Sequence, residues 1–367
     1  MIRKVAYLVS TLRRTGPTNQ LLYIIRNLDP EEFEAVVITL SPEPDDSMLP
    51  LFLDEGISLY TLNLGRLAGL VMGSYHLRRM LKDIQPAIIH TQGLRPDMLG
   101  LGLGEWPVVS TQRNDPFEDY PSKYGKLRGG LMAWQQMRVM HTGRNVYACS
   151  ASLAQAFKEK YKLTLPYVSN GVDTNALQPA DEASRLELRS RLGLPPDHPV
   201  LISVGSLIPR KNHAETVIAM QSIQTPITLV ILGKGPEAAM LRAMEPDTGK
   251  LVMPGQVENV ADYLKASDVF ISASLGEGLP NTVLEALACG LPPLLSDIPP
   301  HREIMQGIDW PWFFPAGSGK DTLSEMLGRM MSAGTLVSSE EMHRIALSFS
   351  AERMSLAYQE IYYKLLR

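Results

Sequence analysis

Short apolar runs rich in β-branched residues alternate along this chain with longer amphipathic segments, and the whole alternation occurs twice. In the first half, the predicted strands are Lys4–Val9, Ala35–Leu40, Ser58–Leu62, Ala87–His90, Val108–Ser110 and Val146–Cys149. In the second half, they are Val200–Val204, Ile227–Leu232, Leu251–Met253, Val269–Ser272 and Pro293–Leu295. Strands separated by helices favour parallel, doubly wound sheets. The sequence therefore predicts an α/β protein with two such domains.

The length of the chain supports this division, because 367 residues exceed the roughly 250–300 that one hydrophobic core usually holds. We predict an N-terminal domain over residues 1–173, a turn-rich linker over residues 174–184 and a C-terminal domain over residues 185–345. Residues 346–367 are predicted to form a closing helix that crosses back to the first domain.

Composition narrows the class of protein. The net charge of -4 gives no reason to expect nucleic-acid binding. Cys149 and Cys289 lie far apart without metal-ligand spacing, which favours a reducing compartment. The apolar N-terminal run is too short for a secretory signal, and Pro226 interrupts the longest uncharged stretch. We expect a cytoplasmic protein that associates, if at all, with the inner face of the membrane.

Ligands of doubly wound domains bind at the carboxyl ends of the strands, so the loops there carry the candidate site residues. One of them follows Val200–Val204 and contains Arg210, Lys211 and Asn212. Two cations beside a helix start suit a diphosphate, and Asn212 is predicted to cap that helix. A solvated basic turn is the alternative interpretation.

A second loop, Leu232-Gly-Lys-Gly-Pro-Glu237, follows the next strand. Its glycines allow the backbone to approach a ligand closely, and Gly235 is the candidate contact. A structural turn between strand and helix is the alternative. The pattern is not a dinucleotide fingerprint, because Ala238 stands in place of the third glycine.

The third loop, Glu277-Gly-Leu-Pro-Asn-Thr-Val-Leu-Glu285, combines two acids with a helix start. Backbone amides around Asn281 and Thr282 suit a phosphate, and both acids are placed to face the same ligand. Thr282 and Glu285 also match a capping box, in which the Glu285 carboxylate only satisfies the backbone of its own helix. The residues alone leave both interpretations of Glu285 open.

These segments resemble the motifs of retaining GT-B glycosyltransferases, above all family 4, whose Glu-x7-Glu signature is similar to the third loop. Other similar segments follow in the same order: Gly16-Pro-Thr18, His90-Thr-Gln-Gly93, Val168-Ser-Asn-Gly-Val-Asp173, Val204-Gly-Ser-Leu-Ile-Pro-Arg-Lys211, Gly233-Lys-Gly-Pro236, Ala266-Ser-Asp-Val-Phe-Ile271 and Ser296-Asp297. The resemblance spans nearly the whole chain. It implies two Rossmann-like domains that face a cleft, with the acceptor on the first and the donor on the second.

The resemblance also implies roles for individual residues. Lys211 would neutralise the donor diphosphate, Glu277 would contact the transferred sugar and Glu285 would bind the nucleotide ribose. The remaining donor contacts would come from Gly16, Gly235, Gly278, Leu279, Pro280, Asn281 and Thr282.

Two positions depart from the family pattern. Ser206 stands where arginine is usual, so Arg210 would have to supply the second phosphate-binding cation. Arg113 stands where a histidine is often found after the fifth strand of the first domain. A guanidinium cannot act as a base, so Arg113 is expected to bind oxygen atoms or stabilise charge at the catalytic centre. A structural role for Arg113 is the alternative.

The resemblance implies a hexosyl- or N-acetylhexosaminyltransferase that moves a sugar from a UDP- or GDP-sugar to a sugar or lipid-linked acceptor. Retention of configuration and a place in polysaccharide or glycolipid biosynthesis are implied as well. The sequence has no Asp-x-Asp motif and no His/carboxylate cluster with ligand spacing, so we expect no cofactor and no metal requirement. The alternatives are a sugar-nucleotide epimerase or hydrolase of the same architecture and a catalytically silent sugar-nucleotide-binding subunit.

A basic and apolar segment lies between Asp119 and Glu159, where no acidic residue occurs. Its basic residues are Lys123, Lys126, Arg128, Arg138, Arg144 and Lys158. The segment also includes the apolar residues Tyr120, Tyr124, Leu127, Leu131, Met132, Trp134, Met137 and Met140. This mixture is typical of surfaces that meet anionic lipid headgroups. The alternative is a helix that packs its apolar side on the sheet.

Overall fold

The protein is described by a computed structural model that covers residues 2–244, 250–333 and 338–367, with the backbone alone for residues 66–71. The chain forms two compact units. The first runs up to Gly171 and also includes Ala351–Arg367, and the second is Val172–Ser350. The predicted linker, residues 174–184, extends into a helix that begins at Glu182.

The first unit is built on a parallel sheet with the strand order β3-β2-β1-β4-β5-β6. Its strands are β1 (Arg3–Val9), β2 (Phe33–Thr39), β3 (Ser58–Thr61), β4 (Ile88–Gln92), β5 (Val108–Gln112) and β6 (Val146–Ala148). Its helices up to residue 161 are α1 (Gly16–Arg26), α2 (Leu49–Asp54), α3 (Arg66–Ile84), α4 (Leu94–Leu101), α5 (Pro116–Tyr124), α6 (Lys126–Thr142) and α7 (Ala151–Tyr161).

Both faces of this sheet are covered, as the apolar character of its strands predicts. Alternate residues of β1 point to opposite faces: Tyr7 joins the apolar cluster with α1, and Leu8 joins the cluster with α3. Strands β4 and β5 are buried over their whole length, up to Gln92 and Gln112 at their carboxyl ends.

The second unit repeats the same connectivity, with the order β12-β11-β10-β7-β8-β9. Its strands are β7 (Val200–Val204), β8 (Thr228–Leu232), β9 (Leu251–Gly255), β10 (Val269–Ser272), β11 (Pro293–Asp297) and β12 (Phe313–Pro315). Its helices are α8 (Glu182–Leu192), α9 (His213–Gln221), α10 (Ala238–Ala243), α11 (Val260–Ala266), α12 (Asn281–Ala288), α13 (Pro299–Ile304), α14 (Lys320–Ser332) and α15 (Ser339–Leu347). The two sheets confirm the predicted fold class, and β12 is a strand that the sequence did not predict.

The C-terminal helix α16 (Ala351–Leu366) belongs to the first unit, as predicted. It begins later than residue 346, because the chain up to Leu347 still belongs to α15. Met354, Tyr358, Ile361 and Tyr362 lie at helical spacing and join the core that contains α1. No helix in the described ranges is long and apolar enough to cross a lipid bilayer.

Candidate active site

Two loops of the second unit bring opposite charges together at the carboxyl ends of β7 and β10. Lys211 Nζ lies 2.5 Å from Glu277 Oε1, and Arg210 Nη1 lies 3.0 Å from Glu277 Oε2. The Glu277 side chain is 6% exposed, and each of the two cationic side chains is 15% exposed. Arg210 also donates to the Gly276 carbonyl, and the Leu275 amide donates to the Arg210 carbonyl at 2.8 Å. Predicted residues from separate loops thus form one cluster.

The two cations decide the charge state of Glu277. Burial disfavours its carboxylate, but the Lys211 ammonium and the Arg210 guanidinium outweigh burial and lower its pKa to about 2. The Ser274 hydroxyl donates to Oε1 at 2.8 Å and favours the same form. Glu277 is therefore a fixed anion at neutral pH. It can accept hydrogen bonds from a ligand, but it has no proton to donate.

A chain of buried hydrogen bonds holds the segment around Ser274, which contacts Glu277, in place. The Ser296 hydroxyl donates to the Ser274 carbonyl at 2.6 Å, and His301 Nδ1 lies 2.6 Å from the Ser296 carbonyl. The other nitrogen of His301, Nε2, lies 3.3 Å from Ser272 Oγ. Burial lowers the pKa of His301 to about 4, so its ring is neutral. Ser274 and His301 were not among the predicted site residues. The available signal for Ser274 was its place between the end of β10 and Glu277.

Helix α12 begins next to this cluster, but not as the capping box predicts. Its N-cap residue is Pro280 and its first residue is Asn281, so Thr282 lies inside the first turn. In this described segment no side chain caps the helix, and the capping-box interpretation of Glu285 is wrong. Pro280 also has no N–H group, so it cannot offer the amide expected of Gly278 to Thr282.

Glu285 instead keeps its carboxyl available. Its side chain has no hydrogen bond or ion pair with any residue that the structure describes. Burial raises the pKa of Glu285 to about 7, although the Lys211 charge acts in the opposite direction. A ligand that donates hydrogen bonds would find an acceptor here that the protein itself does not use.

The start of α9 also differs from the prediction. Asn212 is the N-cap residue, but its φ is +53° and its side chain donates to the Glu215 carboxylate instead of capping the helix. His213, the first residue of α9, is buried, and its Nδ1 lies 3.2 Å from Ser203 Oγ. Burial and then the Lys211 charge lower the pKa of His213 to about 4. Arg210 and Lys211 therefore remain the cations of this loop.

The glycines of the second loop are explained by packing. A Cβ atom on Gly235 would lie 2.3 Å from the Leu207 carbonyl oxygen, and one on Gly233 would lie 1.8 Å from the Gly205 carbonyl oxygen. The loops after β7 and β8 lie so close together that only glycine fits at these two positions. Contact between Gly235 and a ligand stays a prediction.

The two remaining predicted residues lie in the first unit. Arg113 directly follows β5, where Nη1 donates to Asn170 Oδ1 and Nη2 donates to Gln92 Oε1 at 3.2 Å. Gly16 is the first residue of α1. His90, from the same motif as Gln92, is buried and bonded to Tyr362 and Thr111 at 2.7 and 2.8 Å, which gives it a structural role.

Comparison with known proteins adds the family. Residues 184–330 match the sequence model of the glycosyl transferases group 1, and residues 14–176 match that of glycosyltransferase family 4. The putative teichuronic acid biosynthesis glycosyltransferase TuaC of Bacillus subtilis is 30% identical over 59% of this chain and 54% of its own length. The UDP-Gal:alpha-D-GlcNAc-diphosphoundecaprenol alpha-1,3-galactosyltransferase of Escherichia coli is 30% identical over 60% of each chain. The matches thus span little more than half of these two relatives.

Among solved structures, Anabaena HepE in complex with UDP and glucose superposes with a TM-score of 0.81. The superposition covers 99% of this chain and 100% of HepE, at 17% sequence identity. At that identity the likeness concerns the fold.

Proposed function

The chain belongs to the glycosyltransferases of family 4 and group 1, and from this premise we propose that it transfers a sugar from a UDP-sugar to a lipid-linked acceptor, with retention. One observation carries the assignment of the site: the cluster of Lys211, Arg210 and Glu277 beside the start of α12. The chemistry requires a nucleoside diphosphate to leave an anomeric carbon. Preorganised positive charge at the diphosphate lowers that barrier.

Lys211 and Arg210 supply the positive charge. Before the donor binds, Glu277 holds both side chains in place; once it is bound, their remaining N–H groups are directed to the diphosphate. The backbone amides at the start of α12 add partial positive charge on the same side. As a fixed anion, Glu277 accepts hydrogen bonds from hydroxyls of the transferred sugar and stabilises positive charge that develops on its ring.

Glu285 binds the ribose of the nucleotide in this proposal. As a carboxylate it can accept two hydrogen bonds from the vicinal hydroxyls of the ribose, and its lack of partners among the described residues supports this role. Binding a diol favours the ionised form, so donor binding should release a proton near neutral pH.

We propose UDP as the nucleotide because a similar structure is a UDP complex and a relative is named for a UDP-sugar. The lipid-linked acceptor is proposed from the diphosphoundecaprenol in that relative's name. The two cations and the helix amides can neutralise the leaving group without a metal ion. Transfer should accordingly persist in excess EDTA, and a loss of activity that Mg²⁺ or Mn²⁺ restores would refute metal independence.

The test is a panel of UDP- and GDP-sugars, each incubated with and without an undecaprenyl diphosphate-linked sugar. We expect transfer from one UDP-sugar only when the acceptor is present, and an NMR coupling constant that shows the configuration of the donor retained. Conversion of the donor without acceptor, to a new sugar-nucleotide or to stoichiometric free sugar, would favour an epimerase or hydrolase. Binding without turnover over the whole panel would favour a silent binding subunit.

We also propose that the enzyme works in the cytoplasm, at the inner face of the membrane, and that the first unit attaches through one face of α6. Leu127, Leu131 and Trp134, the α6 apolar stripe, lie at helical spacing and are 90%, 58% and 54% exposed. The buried face of α6 instead carries Gly129, Ala133, Gln136, Met137 and Met140. Packing against the protein therefore does not account for the stripe.

Positive charge surrounds this stripe. Lys126, Arg128 and Arg138 are exposed on α6, and the Arg138 guanidinium lies 5.7 Å from the centre of the Trp134 ring. Lys123, in contrast, is paired with Asp119 at 2.8 Å. An exposed apolar stripe flanked by cations fits an anionic lipid surface. Each cation contributes about 1 kcal/mol, so three together change partition about 100-fold.

Co-sedimentation with vesicles tests the attachment. Wild-type protein should bind phosphatidylcholine/phosphatidylglycerol vesicles and detach as salt shortens the Debye length, and it should bind phosphatidylcholine vesicles weakly. Gln at Lys126, Arg128 and Arg138 should lower partition into the anionic vesicles about 100-fold, towards the weak binding seen with phosphatidylcholine. A control with Gln at three exposed cations of the second unit should bind as the wild type does: Lys320, Arg329 and Arg344. Equal binding to both vesicle types, or equal loss in the control, would exclude this surface.

A further inference from the structure

The guanidinium of Arg113 lies at the carboxyl edge of the first sheet, where none of the described residues provides a neutralising carboxylate. Its two Nη partners, Asn170 Oδ1 and Gln92 Oε1, are neutral amide oxygens. Arg113 forms no ion pair with any residue in the ranges 2–244, 250–333 and 338–367. By contrast, the buried guanidinium of Arg189 lies 2.5 Å from the Asp268 carboxylate. The guanidinium of Arg113, whose Nε is buried, is therefore not balanced by a carboxylate in these ranges.

Two N–H donors beside this charge lack partners. Arg113 Nε and Gln92 Nε2 are buried and have no hydrogen-bond acceptor among the described residues. Gln92 is 8% exposed, and its unpartnered Nε2 belongs to the amide group that already accepts from Arg113. Buried donors without acceptors are costly, and acceptor oxygens from a ligand would satisfy both.

The position of these donors is where doubly wound domains bind ligands. Gln92 is the last residue of β4, and Arg113 follows the neighbouring strand β5. Gly93, directly after Gln92, is the N-cap residue of α4 with a φ of +95°. Leu94 and Arg95 begin α4 directly after this turn, and their amides add partial positive charge at the same edge of the sheet, whereas Pro96 has no N–H group.

Nearby titratable groups do not neutralise this charge. Asp97, on α4, is enclosed by four hydrogen-bond donors, and burial raises its pKa. Those donors are Thr91, Ser110, Gln112 and Gln136. Burial, and then the Arg113 charge, lower the pKa of His90 to about 3, so its ring is neutral. Within the described part of the chain, neither group therefore acts as a counter-ion for Arg113.

We propose that Arg113 and Gln92 form an oxyanion subsite of the first unit, which takes a phosphate or carboxylate group of a bound substrate. The planar fork of Arg113 and the adjacent amide give convergent N–H donors that suit oxygens on one centre. We assign the anion to the phosphate of the acceptor. That assignment rests on the proposed function, whereas the anion site itself does not.

Hydrogen exchange in the presence of inorganic phosphate tests the subsite without donor or acceptor. Phosphate should protect peptides that cover residues 88–99 and 108–119 in the wild-type protein. In the Arg113→Gln variant, the phosphate concentration for half-protection should rise at least tenfold. Absence of protection in the wild type, or unchanged protection in the variant, would overturn the proposal.

The Gln92→Glu variant distinguishes an anion-binding role of Arg113 from a purely structural one. The substitution keeps the shape of the side chain but gives Arg113 a counter-ion, so the fold should be retained with an unchanged or higher melting temperature. Phosphate protection should nevertheless fall at least tenfold. If phosphate protection in this variant equals that in the wild type, Arg113 does not hold the anion, and the proposal is wrong.

Steady-state kinetics identify the source of the anion. Gln92→Glu should raise the KM for a diphosphate-linked acceptor at least tenfold, while the KM for the UDP-sugar and for a neutral glycoside of the same sugar change less than about twofold. A rise in the donor KM alone would place the anion on the donor and overturn the assignment to the acceptor. If the wild type fails to transfer sugar to any acceptor, the proposed function falls, while the phosphate result stands independently.

Discussion

Replacing Glu277 with Gln tests the charge cluster of the second unit by its pH dependence. The folded protein lowers the Glu277 pKa from 4.5 to about 2. A shift of that size corresponds to about 3 kcal/mol. Because the folded pKa is lower than the unfolded one, this stabilisation is present above about pH 4.5 and disappears as the pH falls towards 2. Between pH 7 and pH 3.5 the wild type should lose about 1.4 kcal/mol through this group.

The Gln variant has no carboxyl at this position, so it lacks this pH-dependent contribution. It should be less stable at pH 7, by about 3–5 kcal/mol, since both cations lose their partner. The difference from wild type should then shrink by up to about 1.4 kcal/mol at pH 3.5. Groups that do not interact with Glu277 contribute equally to both proteins and cancel in the comparison. His213 and His301 do not cancel fully, because the Glu277 charge raises their pKa values in the wild type, and losing it makes the shrinkage at pH 3.5 smaller than the contribution of Glu277 alone.

Urea unfolding followed by tryptophan fluorescence can measure this in the second unit alone. Trp310 and Trp312 are buried there, and Phe at Trp106 and Trp134 removes the signal of the first unit. Glu187→Gln, an exposed position on α8, is the matched control and should show no such change with pH. A stability difference for Glu277→Gln that is independent of pH, or that grows as the pH falls, would refute the account of the charge cluster.

Two further predictions concern the neighbouring loops. Gly235→Ala should destabilise the second unit by about 1–3 kcal/mol in thermal melts, because the added Cβ would lie 2.3 Å from the Leu207 carbonyl oxygen. The control is Gly328→Ala in α14, where the added Cβ would meet nothing within 4 Å, and it should be neutral or stabilising. Since the pKa of Glu285 without ligand is about 7, the affinity for the UDP-sugar, measured by calorimetry, should be about tenfold weaker at pH 6 than at pH 8. Glu285→Gln should remove this pH dependence. The same pH dependence of affinity in that variant would rule Glu285 out as the group responsible.

Features that depend on local pattern were largely predicted from the sequence. The strand Val200–Val204 was predicted with its observed bounds, because β-branched residues between turns leave little choice. The strand Phe313–Pro315 was not predicted: it has three residues, and prolines at 311 and 315 hide it. The buried face of α6 could not be predicted either, because apolar residues occur all around the helix. Only packing in the folded protein decides that Met137 is buried and Leu127 exposed.

For the candidate active site too, the sequence predicted residues but not their contacts. The sequence placed Lys211 and Glu277 in loops at one sheet edge, but it could not show that they form an ion pair, because 66 residues separate them. The capping-box interpretation of Glu285 failed because α12 begins at Asn281, one residue before the proposed cap. The contribution of His301 depends on the fold, which brings it to Ser272 across 29 positions.

The assignment of the active site is tested by sugar transfer from a UDP-sugar with the wild type, Lys211→Ala and Glu277→Ala, each shown to be folded by circular dichroism. We predict that each substitution lowers kcat/KM by at least about 10²-fold, because each removes a preorganised charge contact at the transition state. Lys320→Ala, an exposed cation at the start of α14, should transfer at the wild-type rate. Near-normal transfer by folded Lys211→Ala and Glu277→Ala proteins would contradict the assignment of this cluster as the active site.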